Sequence, residues 1–93
     1  MTILARHLII RGRVQGVFYR SWSVATAQRL GLTGWVCNRL NGDVEALIQG
    51  DAGAVADFLA LAVQGPPAAR VDSVEVENAE PGDLRTFDQR STA

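Results

Sequence analysis

The chain has 93 residues, of which 47% are apolar and 20% charged, and its formal net charge is −1. This length fits one domain, and the apolar content excludes wholesale disorder. Positive and negative charges are interspersed, which argues against a nucleic-acid-binding face, and no apolar run approaches the roughly 20 residues that span a bilayer.

The amino-terminal segment predicts a strand followed by a glycine-containing loop. Ile3–Arg11 is apolar and β-branched, as strands commonly are. Because side chains alternate along a strand, Leu4, Leu8 and Ile10 should share one face. The loop then spans Gly12–Tyr19, with the sequence GRVQGVFY.

A helix is predicted for Arg20–Leu30, with Gly31 as the residue that ends it in a left-handed conformation. The apolar face of this helix is weak, and Val24 and Ala27 fall outside it. The residues expected on the face are Trp22, Ala25 and Leu30.

A hairpin should follow the helix. Thr33–Arg39 predicts a strand, Asn41-Gly42 or Gly42-Asp43 a tight turn, and Asp43–Gln49 the returning strand. The returning strand alternates, and the residues expected on one of its faces are Val44, Ala46 and Ile48.

A second helix should begin after Asp51, its expected N-cap, and end at Gly65-Pro66-Pro67. Its apolar stripe has the spacing i, i+3, i+4, i+7 and consists of Val55, Phe58, Leu59 and Ala62.

The remaining chain predicts a strand over Val71–Glu77, a turn at Pro81-Gly82, a short strand within Leu84–Asp88 and a frayed polar end over residues 89–93. The order β-α-β-β-α-β, with room for one more strand, indicates an α+β, ferredoxin-like (split βαβ) sandwich. Such a sandwich has a mostly antiparallel sheet with both helices on one face. This fold hosts many functions, so the site must decide between them.

The loop before the first helix is one candidate site. Its glycines allow positive φ, so backbone N–H groups can converge, and the helix N-terminus adds unpaired N–H groups and partial positive charge. Arg20 opposes that dipole unless an anion lies between them, and its planar fork matches a phosphate. The segment therefore predicts a seat for a phosphate-like dianion. The alternative is a long turn with Arg20 in solvent.

Asn38 is the second candidate. It lies near the end of a predicted strand, on the same face as Val36. A carboxamide can orient a water molecule without titrating. The alternative is a turn asparagine that satisfies nearby backbone groups before the hairpin.

These two segments resemble the signatures of the acylphosphatase family. GRVQGVFYR, residues 12–20, matches G-x-V-Q-G-V-x-[FY]-R at every position. GWVCN, residues 34–38, with Gly42-Asp43-Val44 after it, matches the second signature, and the similarity extends from about Leu8 to Val76.

The resemblance implies one acylphosphatase-like domain over residues 1–93. It implies an enzyme that hydrolyses a small acyl phosphate to a carboxylate and inorganic phosphate without a metal or organic cofactor. By the same resemblance, the catalytic residues are Arg20, which binds the phosphate, and Asn38, which orients the attacking water. The phosphate-binding backbone would include Arg20 and the five residues before it: Gln15, Gly16, Val17, Phe18 and Tyr19.

Other notable side chains are expected to be structural. His7, the single histidine, lacks the partner groups that a base or metal ligand needs. Cys37, the single cysteine, has no disulfide or metal partner and should point away from Asn38. Trp22 and Trp35 should belong to the core or its rim.

Two other functions fit the pattern less specifically. One is a non-catalytic phosphate-binding regulatory module, and the other is an RNA-binding sheet, which would need exposed aromatics and a basic face. Arg6 and His7 interrupt the first apolar segment, so no signal peptide is expected. We expect a cytoplasmic monomer, inhibited by inorganic phosphate, that binds neither nucleic acid nor a membrane.

Overall fold

Five strands form one mixed sheet in the computed structural model, which describes residues 2–93. The seven elements, in chain order, are β1 (Ile3–Arg13), α1 (Tyr19–Arg29), β2 (Thr33–Asn38), β3 (Val44–Asp51), α2 (Ala52–Ala62), β4 (Arg70–Ala79) and β5 (Phe87–Gln89). The strands lie in the order β4-β1-β3-β2-β5. All neighbouring strands are antiparallel except β2 and β5, which are parallel.

This arrangement confirms the α+β, ferredoxin-like fold with both helices packed on one face of the sheet. β1 and β2 are each antiparallel to β3, which lies between them, so β1-α1-β2 is a split βαβ unit. β3-α2-β4 is a second such unit, with β1 between its strands. No helix within residues 2–93 is long and apolar enough to cross a membrane.

The core lies between the helices and the inner face of the sheet. On β1, Leu8 and Ile10 are fully buried as predicted, while Leu4 is half-buried and packs at the edge of the core. The predicted face of β3 is confirmed, since its three residues are at most 1% exposed: Val44, Ala46 and Ile48. The predicted stripe of α2 is also confirmed, with only Leu59 partly exposed.

The predicted apolar face of α1 is wrong, because the helix turns a different side toward the core than the sequence pattern indicated. Ala25 is exposed, whereas Ala27 is fully buried together with Ser23 and Thr26. Ser23 satisfies its hydroxyl by donating to the backbone oxygen of Tyr19 at 2.8 Å, so a polar side chain can lie against the core. Small buried polar residues leave little hydrophobic periodicity, which is why the sequence pattern misplaced this face.

Tyr19 joins the two helices. Its hydroxyl donates to the backbone oxygen of Ala62, at the end of α2, over 2.7 Å. Gly65 lies against the Tyr19 ring, and a Cβ there would be 2.7 Å from Cε2. Burial raises the pKa of Tyr19, which keeps the phenol a neutral donor. The start of α1 is therefore held in place from within the core.

The residue that caps α2 and the glycine that follows α1 agree with the sequence prediction. Asp51 caps α2, its side chain accepting from the backbone N–H of Gly53 at 3.2 Å. Gly31 follows α1 with φ 74°, the left-handed conformation expected there. α1 itself begins one residue earlier than predicted, at Tyr19.

The segment after β4 differs from the sequence prediction. Within residues 2–93, no backbone hydrogen bond closes a turn at Pro81-Gly82. Instead Gly82 accepts from Gln49 Nε2 at 2.9 Å and donates to Gln49 Oε1 at 2.8 Å. The Gln49 side chain, rather than a local turn, holds this segment. Because Gln49 is distant in sequence from Gly82, the local pattern gave no sign of this contact.

The carboxyl-terminal end is not frayed, contrary to the prediction. Arg90 N donates to Val36 O at 2.8 Å, and Ala93 N donates to Asn38 O at 3.0 Å. These bonds continue the pairing of β5 along β2, whose outer edge offers unpaired backbone groups. Backbone pairing needs no apolar side chains, so the polar composition of residues 89–93 gave no sign of it.

Candidate active site

The loop between β1 and α1 has three residues with positive φ at or near it. Gly12 (φ 130°) lies at a bulge in the pairing with β4, where a Cβ would be 2.2 Å from the backbone oxygen of Arg70. Gly16 has φ 73° and Phe18 has φ 69°. The predicted glycine conformations are therefore present. A left-handed phenylalanine was not predicted, and for a non-glycine residue it costs about 1–2 kcal/mol.

Side chains fix this loop to the rest of the molecule. Val14 and Val17 are buried in the core. Gln15 Nε2 donates to two backbone oxygens of the β2–β3 connection, Arg39 O at 2.7 Å and Asp43 O at 2.9 Å. The carboxamide of Gln15 is thus a structural tie, a role for which the sequence gave no signal.

The backbone N–H groups of the loop are uncommitted. Within residues 2–93, none of the N–H groups of residues 15–18 donates to a backbone or side-chain oxygen. The first N–H in α1 with a partner in this region is that of Trp22, which donates to Phe18 O at 3.0 Å. The N–H groups of the first turn therefore remain available, at the positive end of the helix dipole.

Arg20 and Asn38 line one cavity of about 290 Å³. The two residues singled out from the sequence come from different elements, and the fold brings them to the same place. Arg20 forms no ion pair with any carboxylate in the described part of the chain. The other lining residues are Val14, Gly16, Phe18, Tyr19, Ser21 and Gln89.

Asn38 contributes a buried atom without a partner. It ends β2 and faces the cavity on the same side of the sheet as Val36, as predicted. Its Oδ1 is buried and accepts no hydrogen bond from residues 2–93. An unsatisfied buried acceptor costs about 1–3 kcal/mol, so this atom points to a donor that the chain itself does not supply.

The sequence prediction assigned Gln15 and Val17 to the site through their backbone amides, and it missed three lining residues. The Gln15 side chain bonds to the β2–β3 connection and the Val17 side chain packs in the core, so only their backbone could serve the site. The missed residues are Val14, which lies just before the predicted phosphate-binding segment, Ser21 and Gln89. Ser21 lines the cavity because of where α1 lies, and Gln89 lines it because β5 pairs with β2. No local sequence motif predicts either position.

His7 and Cys37 lie on the opposite face of the sheet. The prediction that His7 lacks partner groups was wrong, since its Nε2 is 2.6 Å from Oε2 of Glu45, a residue 38 positions away. Cys37 is buried near the same carboxylate, as expected for packing, and burial raises the pKa of its thiol. Trp35 lies under the guanidinium of Arg90, with 4.9 Å between the guanidinium carbon and the ring centroid.

The described residues, 2–93, contain no group of three or more His, Cys, Asp or Glu side chains that could hold a metal ion. The cavity itself offers amide, guanidinium, hydroxyl and carboxamide groups. These are groups that bind an anion and a water molecule.

Comparison with known proteins agrees with the geometry. The family model described as "Acylphosphatase" matches residues 6–89. The acylphosphatase of Azoarcus sp. (strain BH72) is 56% identical over 94% of this chain and 89% of its own. The structure of an acylphosphatase from Coxiella burnetii superposes with a TM-score of 0.92 at 35% identity, covering 95% of this chain and 93% of that chain.

A larger protein contains a similar domain. Full-length HypF in its phosphate- and nucleotide-bound form matches with a TM-score of 0.90 at 27% identity. The match covers 98% of this chain but 12% of HypF. A domain of this kind therefore also occurs within a longer chain.

We predict that Asn38→Leu changes the free energy of unfolding by less than about 1 kcal/mol, because Asn38 Oδ1 accepts no hydrogen bond from residues 2–93 and so joins no other part of the fold. The matched control is Gln49→Leu, which removes a carboxamide bonded twice to Gly82 and should cost about 1–3 kcal/mol. Equilibrium urea unfolding measures both. An equal loss in the two variants would show that the Asn38 carboxamide holds the fold.

Proposed function

Because this chain belongs to the acylphosphatase family and is an enzyme of that type, we propose that its cavity hydrolyses small acyl phosphates to a carboxylate and inorganic phosphate. One observation carries the proposal. Within residues 2–93, a guanidinium without an ion pair, amides without acceptors and a carboxamide oxygen without a donor surround one cavity. We further propose that residues 1–93 act as a single domain, since the matched residues 6–89 span one sheet and both helices.

The phosphoryl group of the substrate occupies the end of the cavity at the start of α1. Backbone amides from Gln15 to Tyr19 donate to its oxygens, and the partial positive charge of the helix adds to them. Arg20 donates two parallel N–H···O hydrogen bonds, one to each of two phosphoryl oxygens. The absence of an ion pair at Arg20 within residues 2–93 supports this role, since its charge is not neutralised there by a carboxylate.

The attacking water lies between Asn38 and the phosphorus. Asn38 Oδ1 accepts a hydrogen bond from one O–H group of this water, which directs an oxygen lone pair toward the phosphorus. A P–O bond to water forms while the bond to the acyl oxygen breaks, and the electron pair leaves on the carboxylate. One water proton passes to a phosphoryl oxygen and the other stays on the attacking oxygen, so the products are a carboxylate and dihydrogen phosphate.

This reaction needs no protein acid. The conjugate acid of the leaving carboxylate has a pKa of about 4–5, judged from Asp and Glu, so the carboxylate leaves without a proton. Phosphoryl transfer of this kind depends mainly on positioning and charge stabilisation. His7, the single histidine, lies on the opposite face of the sheet and takes no part.

The alternative is a phosphate-binding module without turnover, and Asn38 argues against it. An anion seat needs donors, whereas Oδ1 is an acceptor and would repel a phosphoryl oxygen. A water molecule supplies the donor that this buried atom lacks. The catalytic function therefore accounts for an atom that the binding function leaves unexplained.

Hydrolysis of benzoyl phosphate tests the proposed function directly. We expect the purified protein to release benzoate and inorganic phosphate in the presence of excess EDTA, because the proposed groups are all amides, a guanidinium and a carboxamide. The loss of substrate absorbance measures turnover, and inorganic phosphate should inhibit competitively. Calorimetric binding of phosphate without any hydrolysis would favour the regulatory module instead.

Arg20→Ala should lower kcat/KM by about 10²–10³-fold or more, the usual effect of losing one preorganised donor. Arg20→Lys should fail similarly, because an ammonium cannot donate two parallel bonds. The matched control is Arg29→Ala, which removes an exposed arginine from the last turn of the same helix. Near-normal turnover in either Arg20 variant, measured with benzoyl phosphate, would reject the assigned role.

Asn38→Ala should lower kcat by about 10²-fold or more while inorganic phosphate still binds, because Asn38 contacts water rather than the phosphoryl group. The inhibition constant for phosphate, measured on residual activity or by calorimetry, distinguishes the two contacts. Asn38→Asp is the informative companion, since its carboxylate should repel the anion and weaken phosphate binding. If Asn38→Ala abolishes phosphate binding, Asn38 holds the anion instead.

A further inference from the structure

Phe18 is the most exposed aromatic residue within residues 2–93. It is 77% exposed, whereas the residues on either side of it, Val17 and Tyr19, are at most 5% exposed. An isolated exposed apolar side chain is ordinary on a surface. This one, however, lines the cavity that contains Arg20 and Asn38.

The local backbone explains why the ring stands at the mouth of the cavity. Val17 and Tyr19 point into the core on either side, and Phe18 between them has φ 69° and ψ 21°. This left-handed conformation turns the side chain outward, away from both neighbours. Phe18 O is fixed as well, since it accepts from Trp22 N at 3.0 Å and from Ser21 Oγ at 3.2 Å.

The ring therefore lies beside the amides that would hold the phosphoryl group. The phosphoryl group fills the inner end of the cavity, so the acyl group must extend outward from it, past the mouth. An in-line reaction also places the acyl group opposite the water, and hence away from Asn38. Phe18 is the residue that presents an exposed apolar surface at this mouth.

We propose that Phe18 is the acyl-binding residue and that the substrates are acyl phosphates with an aromatic or otherwise apolar acyl group. This inference rests on the proposed function, because it takes the phosphoryl group to be held by the loop. The ring supplies an apolar surface, and a planar acyl group can stack on it in an offset or edge-on arrangement. The side chain at this position selects the acyl group, while the backbone at the same position binds the phosphoryl group.

Two pairs of ligands separate the acyl group from the phosphoryl group. Benzoyl phosphate and acetyl phosphate are compared as substrates, and benzylphosphonate and methylphosphonate are compared as non-hydrolysable ligands by calorimetry. In Phe18→Ala, the ratio of kcat/KM for benzoyl over acetyl phosphate should fall about three- to tenfold. The affinity ratio of the two phosphonates should fall by a similar factor. Differences in intrinsic reactivity cancel, because each ratio is compared between two proteins.

Two variants serve as controls. Phe18→Leu keeps an apolar side chain and should retain most of both ratios. Ile3→Ala removes another exposed apolar side chain, 45% exposed, at the far end of β1. At about 3.3 Å per residue, this strand places Ile3 roughly 30 Å from the loop. Its ratios should equal those of the wild type.

The outcomes distinguish this inference from the proposed function. If Phe18→Ala binds and hydrolyses both ligand pairs with wild-type ratios, the acyl-binding role is overturned while the hydrolase function stands. If the wild-type protein neither hydrolyses an acyl phosphate nor binds a phosphonate, the proposed function fails and the inference fails with it. If only the phosphonate ratio falls, Phe18 contacts the acyl group of a bound ligand but not in the transition state, and its role in selecting substrates is overturned.

Discussion

Two hydrogen bonds from one carboxamide join the two halves of the site. Gln15 belongs to the loop that carries the uncommitted amides and leads into Arg20, and it donates to Arg39 O and Asp43 O in the β2–β3 connection. That connection follows directly on Asn38. The groups proposed to hold the phosphoryl group and the group proposed to aim the water are thereby kept in one geometry. Catalysis by positioning requires such a fixed relation, because displacements of about 1 Å are costly.

The cavity concentrates conformations and groups that a purely structural region would avoid. Phe18 has a left-handed backbone, Asn38 Oδ1 has no donor within the described chain, and Arg20 places positive charge at the positive end of a helix. Each feature is unfavourable by itself, and their clustering is typical of functional sites. Well-satisfied contacts elsewhere offset them, among them the Tyr19 bond to α2 and the Asp51 cap.

Local patterns predicted most of the fold, whereas they left alternatives open for Arg20 and Asn38, which the family resemblance selected as site residues. The alternation of Val44, Ala46 and Ile48 sufficed for β3, and the glycine spacing indicated the loop. Contacts between distant segments were not predictable in this way. The rotation of α1 depends on satisfied polar residues that show no hydrophobic period. Gln15 finds its carbonyl partners more than 20 residues away, and the outward direction of Phe18 follows from the burial of its neighbours.

The interior position of β1, between β4 and β3, has a consequence for how the chain reaches this structure. Ile9 pairs with Glu45 on one side and with Glu75 on the other, so both ladders of β1 join residues that are 36 and 66 positions apart in the chain. Loop-closure entropy must be overcome before either ladder forms, and a topology rich in such distant contacts folds on the slower end of the range for small domains. The strand that leads into the site is thus held on both sides by pairing that is distant in sequence, unlike the hairpin of β2 and β3.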